Sequence, residues 1–277
     1  LPTMRTHLRM VVEGSYMGDL DVGEMFLNFI LHLGLRQYCG VDLTKYFPEE
    51  VSLAVGRLWE AWQRTGMGFT WSPYQAVQGI YVADEVIGGD RKDPTNVFWW
   101  DRIRLNLPGS TDYQPSLPWV SKIRNSDNKI AADRVIFVDD ARSIGNDEEE
   151  AWAATRRIGS TFSYLGLQDA SRKRRRVSQT PGAWAGVVVW TNEDGVFNLV
   201  AEDKWAKTKA QVAELQAMLD ADDEHLDRKR LEQIRGFLIH IGQAYRGINT
   251  YLNGLHLTID GWRPDRDERG WRRRNYM

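Results

Sequence analysis

Cysteine occurs once in the 277 residues, at Cys39. A single thiol excludes an intramolecular disulfide and any zinc site built from cysteines, and it favours a reducing, intracellular setting in cytoplasm or nucleus. Long apolar runs are also absent. None approaches the roughly 18 residues that a membrane-spanning helix needs, and no secretory leader is visible, so no membrane partner is expected. The chain begins at Leu1 rather than Met, which suggests ends set by trimming or processing.

What is present is the make-up of a globular protein, 42% hydrophobic and 27% charged. Its length suits one large domain or two small ones with a substantial core. The net charge of −2 hides an asymmetry. Residues 1–150 carry 15 Lys and Arg against 22 Asp and Glu, and residues 151–277 carry the remaining 21 against 16. An acidic half that holds metal and a basic half that holds phosphate is one reading, and ordinary surface variation is the other. The 12 tryptophans fit either a large core or stacking surfaces.

The stretch Arg134-Val135-Ile136-Phe137-Val138-Asp139-Asp140 reads as a buried strand that stops at two adjacent carboxylates. Mg²⁺ is a hard ion that takes carboxylate oxygen, usually from one or two side chains plus substrate phosphates. Neighbouring residues on a pleated strand point to opposite faces, so both Asp can act together only if the strand ends there in a tight turn. Ala141-Arg142-Ser143 with Gly145-Asn146 is read as that turn. An Asp-Asp pair is equally a polar turn with no ligand.

Upstream, a strand entering Asp19-Leu20-Asp21 turns into a helix that runs toward Leu35, with Met25, Phe29 and Leu33 at helical spacing. Asp21 serves there as a helix N-cap or as a second carboxylate at a strand end. Pro48-Glu49-Glu50 starts a helix whose apolar stripe runs through Val51, Val55, Leu58, Trp59 and Trp62. Gly66-Met67-Gly68 then leads into a helix begun by Ser72-Pro73 and ending near Ile87. A glycine turn at a helix start can face an anion, although most such turns only connect elements.

Residues 88–130 read as an irregular, aromatic insertion within one domain, with short strands around Val97-Phe98-Trp99-Trp100 and Trp119-Val120. After Asp140, Asn146 caps a helix that Gly166 stops. Five consecutive basic residues, Arg172 to Arg176, follow it. Two strands come next, residues 183–190 and 195–200, joined by a hairpin turn at residues 191–194. From Lys204 the chain is helical: one helix to about Leu219, an acidic linker, then one long helix from about Leu226 to Tyr251. Basic residues recur along that helix, as a solvated face or as a nucleic-acid contact.

In order and spacing these segments resemble the palm and thumb of a reverse transcriptase of the retrovirus-like or long-terminal-repeat retrotransposon type, from about residue 16 to residue 263. Asp21-Val22-Gly23-Glu24-Met25-Phe26 is similar to the family's first palm motif, Gly68 to Pro73 to the second, and Phe137-Val138-Asp139-Asp140 to the third. Lys173, seven residues after Gly166, falls where the fourth motif places a lysine. Gly182-Ala183-Trp184-Ala185-Gly186 resembles the hairpin that grips the primer. Gln233-Ile234-Arg235-Gly236-Phe237-Leu238 through Gly247-Ile248 resembles the thumb helix that tracks the duplex.

The resemblance implies an α+β fold, a right-hand palm of antiparallel sheet and packed helices over residues 1–200, a helical thumb over 201–263 and a tail over 264–277. It implies RNA-directed DNA polymerisation on an RNA or DNA template with a primer, from deoxynucleoside triphosphates. Two Mg²⁺ ions, or Mn²⁺ in their place, would be held by Asp21, Asp139 and Asp140, and Lys173 would meet the leaving pyrophosphate. Phe26 would exclude a ribose 2′-hydroxyl, while Gly68, Ser72 and Pro73 would pack against template and nucleotide. Trp184, Gly186, Arg235, Gly236 and His240 would contact nucleic acid. Two departures stand out: the fingers are reduced to residues 1–18 or precede them, and residues 88–130 lengthen the gap between the second and third motifs. Two rival classes share these features, a nucleic-acid-binding retroelement remnant without catalysis and an RNA-templated RNA polymerase. Phe26 disfavours the second.

Overall fold

The computed structural model describes residues 4–90, 92–170, 174–220, 225–261 and 271–272. A short helix α1 (Met4–Leu8) precedes strand β1 (Tyr16–Asp21), and then come α2 (Leu33–Arg36), β2 (Gly40–Asp42), α3 (Glu49–Val55), β3 (Trp59–Ala61) and α4 (Ser72–Gly88). The middle of the chain holds β4 (Arg102–Leu105), β5 (Val120–Ile123), β6 (Asp133–Phe137), β7 (Asp140–Gly145) and α5 (Glu148–Tyr164). The remainder holds β8 (Gly182–Trp184), β9 (Val187–Asn192), β10 (Gly195–Val200), α6 (Glu202–Asp220), β11 (His225–Leu226), α7 (Arg228–Ile241), α8 (Ile248–Asp260) and β12 (Trp271–Arg272). No described helix is long and apolar enough to cross a membrane.

The chain divides into two compact units. The first comprises Tyr16–Tyr113 and Trp119–Ser178. Its centre is an antiparallel sheet in the order β1-β7-β6. One face of that sheet presents Leu20, Ile136 and Ala141 to Ile80 and Ala83 of α4 and to Ala154, Ile158 and Phe162 of α5. Small residues let α5 approach closely. A Cβ on Gly145 would come within 2.9 Å of the Ala151 Cα. Ser143 Oγ and Thr155 Oγ1 meet at 2.7 Å across the same seam. The second unit comprises Pro2–Ser15, Gln114–Pro118 and Gln179–Met277. It holds the meander β8-β9-β10 and the α7–α8 pair, whose apolar faces bury Leu231, Ile234, Leu238, Leu252 and Ile259.

The expected α+β composition is present, as are α4 and α5 close to their expected bounds. Asp147, one residue after Asn146, caps α5 by accepting from the Glu150 N–H at 2.8 Å. Gly166 stops that helix at φ +75, with the Leu167 N–H returned to the Phe162 carbonyl at 2.9 Å.

Several expectations are corrected. Residues 141–145 are not a turn but β7, the central strand, because the chain reverses two residues earlier, at Val138 (φ +57) and Asp139. No helix runs from Glu24 to Leu35. The Asn28 carboxamide takes the carbonyls of Gly23, Glu24 and Met25 that such a helix would use, which leaves a single 3₁₀ turn, Met25–Asn28, before α2.

Helix α3 ends at Val55 before Gly56 (φ +76), and Trp59 and Ala61 pair with β2 instead of extending an apolar stripe. Residues 97–100 form no strand; Phe98 drops into the core, and the Arg134 guanidinium lies 4.7 Å above its ring. The expected strand 183–190 folds back on itself at Ala185 (φ +48) and Gly186 (φ +83), the paired positive φ values of a two-residue hairpin turn. The long C-terminal helix breaks between Ile241 and Ile248 into α7 and α8.

Candidate active site

Asp21 is the last residue of β1 and stands directly opposite Asp140, the first of β7. Cross-strand partners in an antiparallel pair project to the same side, so the two carboxylates share a face. Two residues along, Asp19 stands opposite Arg142 on that face. Phe137 closes the β6–β7 hairpin against Asp140, leaving Val138 and Asp139 as its two-residue loop. The Asp139 carbonyl accepts the Val22 N–H at 2.8 Å, which ties the loop to the end of β1. A β-branched residue at positive φ is strained, and here Val138 accepts that strain so that Asp139 and Asp140 emerge at one end of the sheet.

The clustering has an electrostatic consequence. Burial, the charge of Asp139, and then the charge and hydrogen bond of Asp21 push the Asp140 carboxyl up to about 6, with Asp19 adding to the rise. Asp19 is itself neutralised by Arg142, whose Nε and Nη2 donate to Asp19 Oδ1 and Oδ2 at 2.6 and 2.8 Å. Arg142 is fully buried, so its charge is spent within the fold.

Among the described residues, no three His, Cys, Asp or Glu side chains close on one point as a complete metal cage. The cluster is instead a carboxylate pair, Asp21 and Asp140, with Asp139 near enough to repel it. That donor set suits a hard cation such as Mg²⁺, which needs only one or two carboxylates and takes its other oxygens from substrate and water. It does not suit a closed zinc site.

Beside the cluster lies a cleft of about 830 Å³ whose walls include Asp21, Phe26, Cys39, Trp62, Phe69 and Asp139. Phe26 therefore stands with two of the expected acids on one concave surface. Gly68, Ser72 and Pro73 do not line this cleft; Gly66, Met67 and Phe69 take the places nearest to it. Ser72 is buried at the start of α4, with Pro73 in the helix's first turn, and Gly68 sits at φ +93 with open space around its Cα. Lys173 lies outside the described residues. Next to it, Arg174 is paired with Asp169, and Arg176 with Glu148 at 2.9 Å.

In the second unit, the structure brings Gly186 and His240 together. A Cβ on Gly186 would stand 2.8 Å from Lys204 Nζ and 3.0 Å from His240 Nε2. Burial, reinforced by the Lys204 charge, lowers the His240 pKa. Gly236 is exposed on α7, and Arg235 beside it reaches Asp260 at 3.6 Å. Trp184 corrects an expectation. It is 3% exposed and packs its ring 5.1 Å from that of His7, in the core of its hairpin and not on an open surface.

Sequence reasoning missed the Asp19–Arg142 pair, although period-two alternation carried the signal: Asp19 and Asp21 share a strand face, and so do Arg142 and Asp140. It also missed the cleft wall at Trp62, for which no local pattern exists.

The fold, a central antiparallel sheet that ends in acids beside a cleft with helices on one face, is reverse-transcriptase-like by its similarity to one solved structure. The chain is similar to the solved structure of a foamy viral protease–reverse transcriptase in complex with double-stranded DNA, with a TM-score of 0.53 and 11% identity. That similarity covers 95% of this chain and 34% of the viral one, so this chain spans about a third of its length. No family model matches the sequence, and no curated protein does.

Proposed function

We propose that this chain is the palm and thumb of an RNA-directed DNA polymerase, which adds deoxynucleotides to a primer 3′-hydroxyl on an RNA or DNA template. The observation that carries the reading is the convergence of Asp21, Asp140 and Asp139 at one end of a three-stranded sheet within a reverse-transcriptase-like fold. Asp21 and Asp139, on the wall of the cleft, would hold two Mg²⁺ ions, or Mn²⁺, with Asp140 in support. When bound, such ions activate the attacking hydroxyl and stabilise the leaving oxygen of an in-line displacement.

The remaining roles belong to the chain's own residues. Phe26 presents an aromatic wall to the sugar and leaves no room for a 2′-hydroxyl. Arg142 pairs with Asp19 and offsets part of its charge beside Asp21 and Asp140. Lys173 would donate a proton to the departing pyrophosphate. In the second unit, Gly186, Arg235, Gly236 and His240 would lie along the template–primer backbone, and binding would weaken steeply with salt.

The test is primer extension on an RNA template with deoxynucleotides and Mg²⁺, run beside Asp139→Asn. Extension by the unsubstituted chain and none by the variant is the expected result. A second reading, a nucleic-acid-binding protein without catalysis, draws on the likeness to a structure solved with bound double-stranded DNA. It predicts equal template–primer binding by both chains and extension by neither.

A further inference from the structure

We propose that Asn28 and Thr65 are positioning residues that hold Phe26 in place and thereby set the choice between deoxyribose and ribose, an inference that rests on the polymerase reading above. The segment that carries Phe26 has almost no regular structure of its own. Glu24 sits in the left-handed region at φ 47 and ψ 47, and only the 3₁₀ turn Met25–Asn28 follows. Excluding a single hydroxyl requires a wall held to within about 0.5 Å, which such a loop does not provide unaided.

Two side chains supply the missing rigidity. The two N–H groups of the Asn28 carboxamide are shared among the carbonyls of Gly23 at 2.9 Å, Glu24 at 3.3 Å and Met25 at 3.1 Å. Its oxygen accepts the Gln168 N–H at 2.8 Å, and the Gly23 N–H returns to the Gln168 carbonyl at 2.7 Å. Thr65 takes the next carbonyl, its hydroxyl donating to Phe26 O and its N–H to Phe29 O at 2.9 Å. Every carbonyl from residue 23 to residue 26 thus meets the side chain of Asn28 or Thr65, those of Glu24 and Phe26 also accepting the Leu27 and Phe29 N–H groups.

Thr65 is a firm anchor. It is fully buried, and its segment pairs with residues 29–31 through the Ile30–Arg64 bridge and the Leu31 N–H to Gln63 carbonyl bond at 2.9 Å. Phe29 pins the far end, its ring filling the space that a Cβ on Gly79 of α4 would need. The residues after Thr65, Gly66 and Met67, line the same cleft as Phe26, so one hydroxyl joins two of its walls.

The experiment measures kcat/KM for a deoxynucleotide and its matched ribonucleotide on one primer–template, with circular dichroism to check folding. The expected result is that Thr65→Val lowers the deoxy-to-ribo preference about fivefold, the worth of one hydrogen bond, and that Thr65→Ser restores it. Asn28→Asp, which replaces the donors with a carboxylate that repels the same carbonyls, lowers it at least as much, and so does Phe26→Ala. A purely structural role would reduce both substrates equally and leave the ratio alone. Unchanged ratios in Thr65→Val and Asn28→Asp beside a lowered ratio in Phe26→Ala overturn the clamp and leave the polymerase in place. An unchanged ratio in Phe26→Ala removes the gate and the clamp with it. No incorporation by the unsubstituted chain removes the polymerase reading and this inference together. If Thr65→Val does not fold, Asn28→Asp decides by the same ratio.

Discussion

Asp21 and Asp140 face each other directly across the pairing of β1 and β7, and the charge of Asp21 is one of the causes that raise the Asp140 pKa. Burial first, and then the charges of Asp139 and Asp21, raise the pKa of Asp140 to about 6.

The first prediction follows from the sign of that shift. A carboxyl raised in the folded state from 3.8 to about 6 contributes stability below its unfolded value and loses it as pH rises through about 6. In metal-free buffer, Asp140→Asn should therefore gain stability relative to the unsubstituted chain as pH rises from 5 to 7, by about 1 kcal/mol or less after allowance for solvent screening. Urea unfolding at the two pH values measures it. An equal difference at both would refute the coupling.

Adding Mg²⁺ at pH 7 should raise the melting temperature of the unsubstituted chain, because a ligand that binds only the folded state stabilises it. Asp139→Asn should respond less. Equal responses would mean that the ion binds elsewhere.

Arg142→Met should cost about 3–5 kcal/mol, because it strands the mostly buried Asp19 without its bidentate partner. The double variant Asp19→Leu with Arg142→Met should recover most of the loss. Additive costs in a denaturation cycle would show that the two residues do not act as a pair.

Val138→Gly should be neutral or stabilising by up to about 1 kcal/mol, since glycine adopts a φ of +57 without the clash that a β-branched residue suffers. A loss above about 1 kcal/mol in thermal melting would show that the hairpin loop carries no such strain.

Gly186→Ala should destabilise the β8–β9 hairpin by about 1–2 kcal/mol, because its φ is +83 and the new methyl would crowd Lys204 and His240. Under the proposed function it should also weaken template–primer binding, read by fluorescence anisotropy at two salt concentrations. Unchanged melting and binding would remove Gly186 from the interface.

Much of this protein was legible locally. Pro73 at a helix start, acids in the first turn of α5 and Gly166 at its end act within a turn or two of chain, and those helices stand where the residues place them. The strand before Asp139 was legible for the same reason. The exact reversal was not, because Ala141-Arg142-Ser143 has turn-like composition and becomes a strand only by pairing with β1 more than 100 residues away.

Helix 24–35 failed through competition from one side chain, Asn28, whose amide outbids the backbone for its carbonyls. The acids at the sheet end, the aromatic at Phe26 and the order of the motifs are written in the residues themselves. Which acid pairs with which, that Arg142 is consumed by Asp19, that Trp184 is buried and that Thr65 reaches Phe26 depend on strand register and long-range packing. Those contacts form only when distant segments meet, and no local periodicity encodes them.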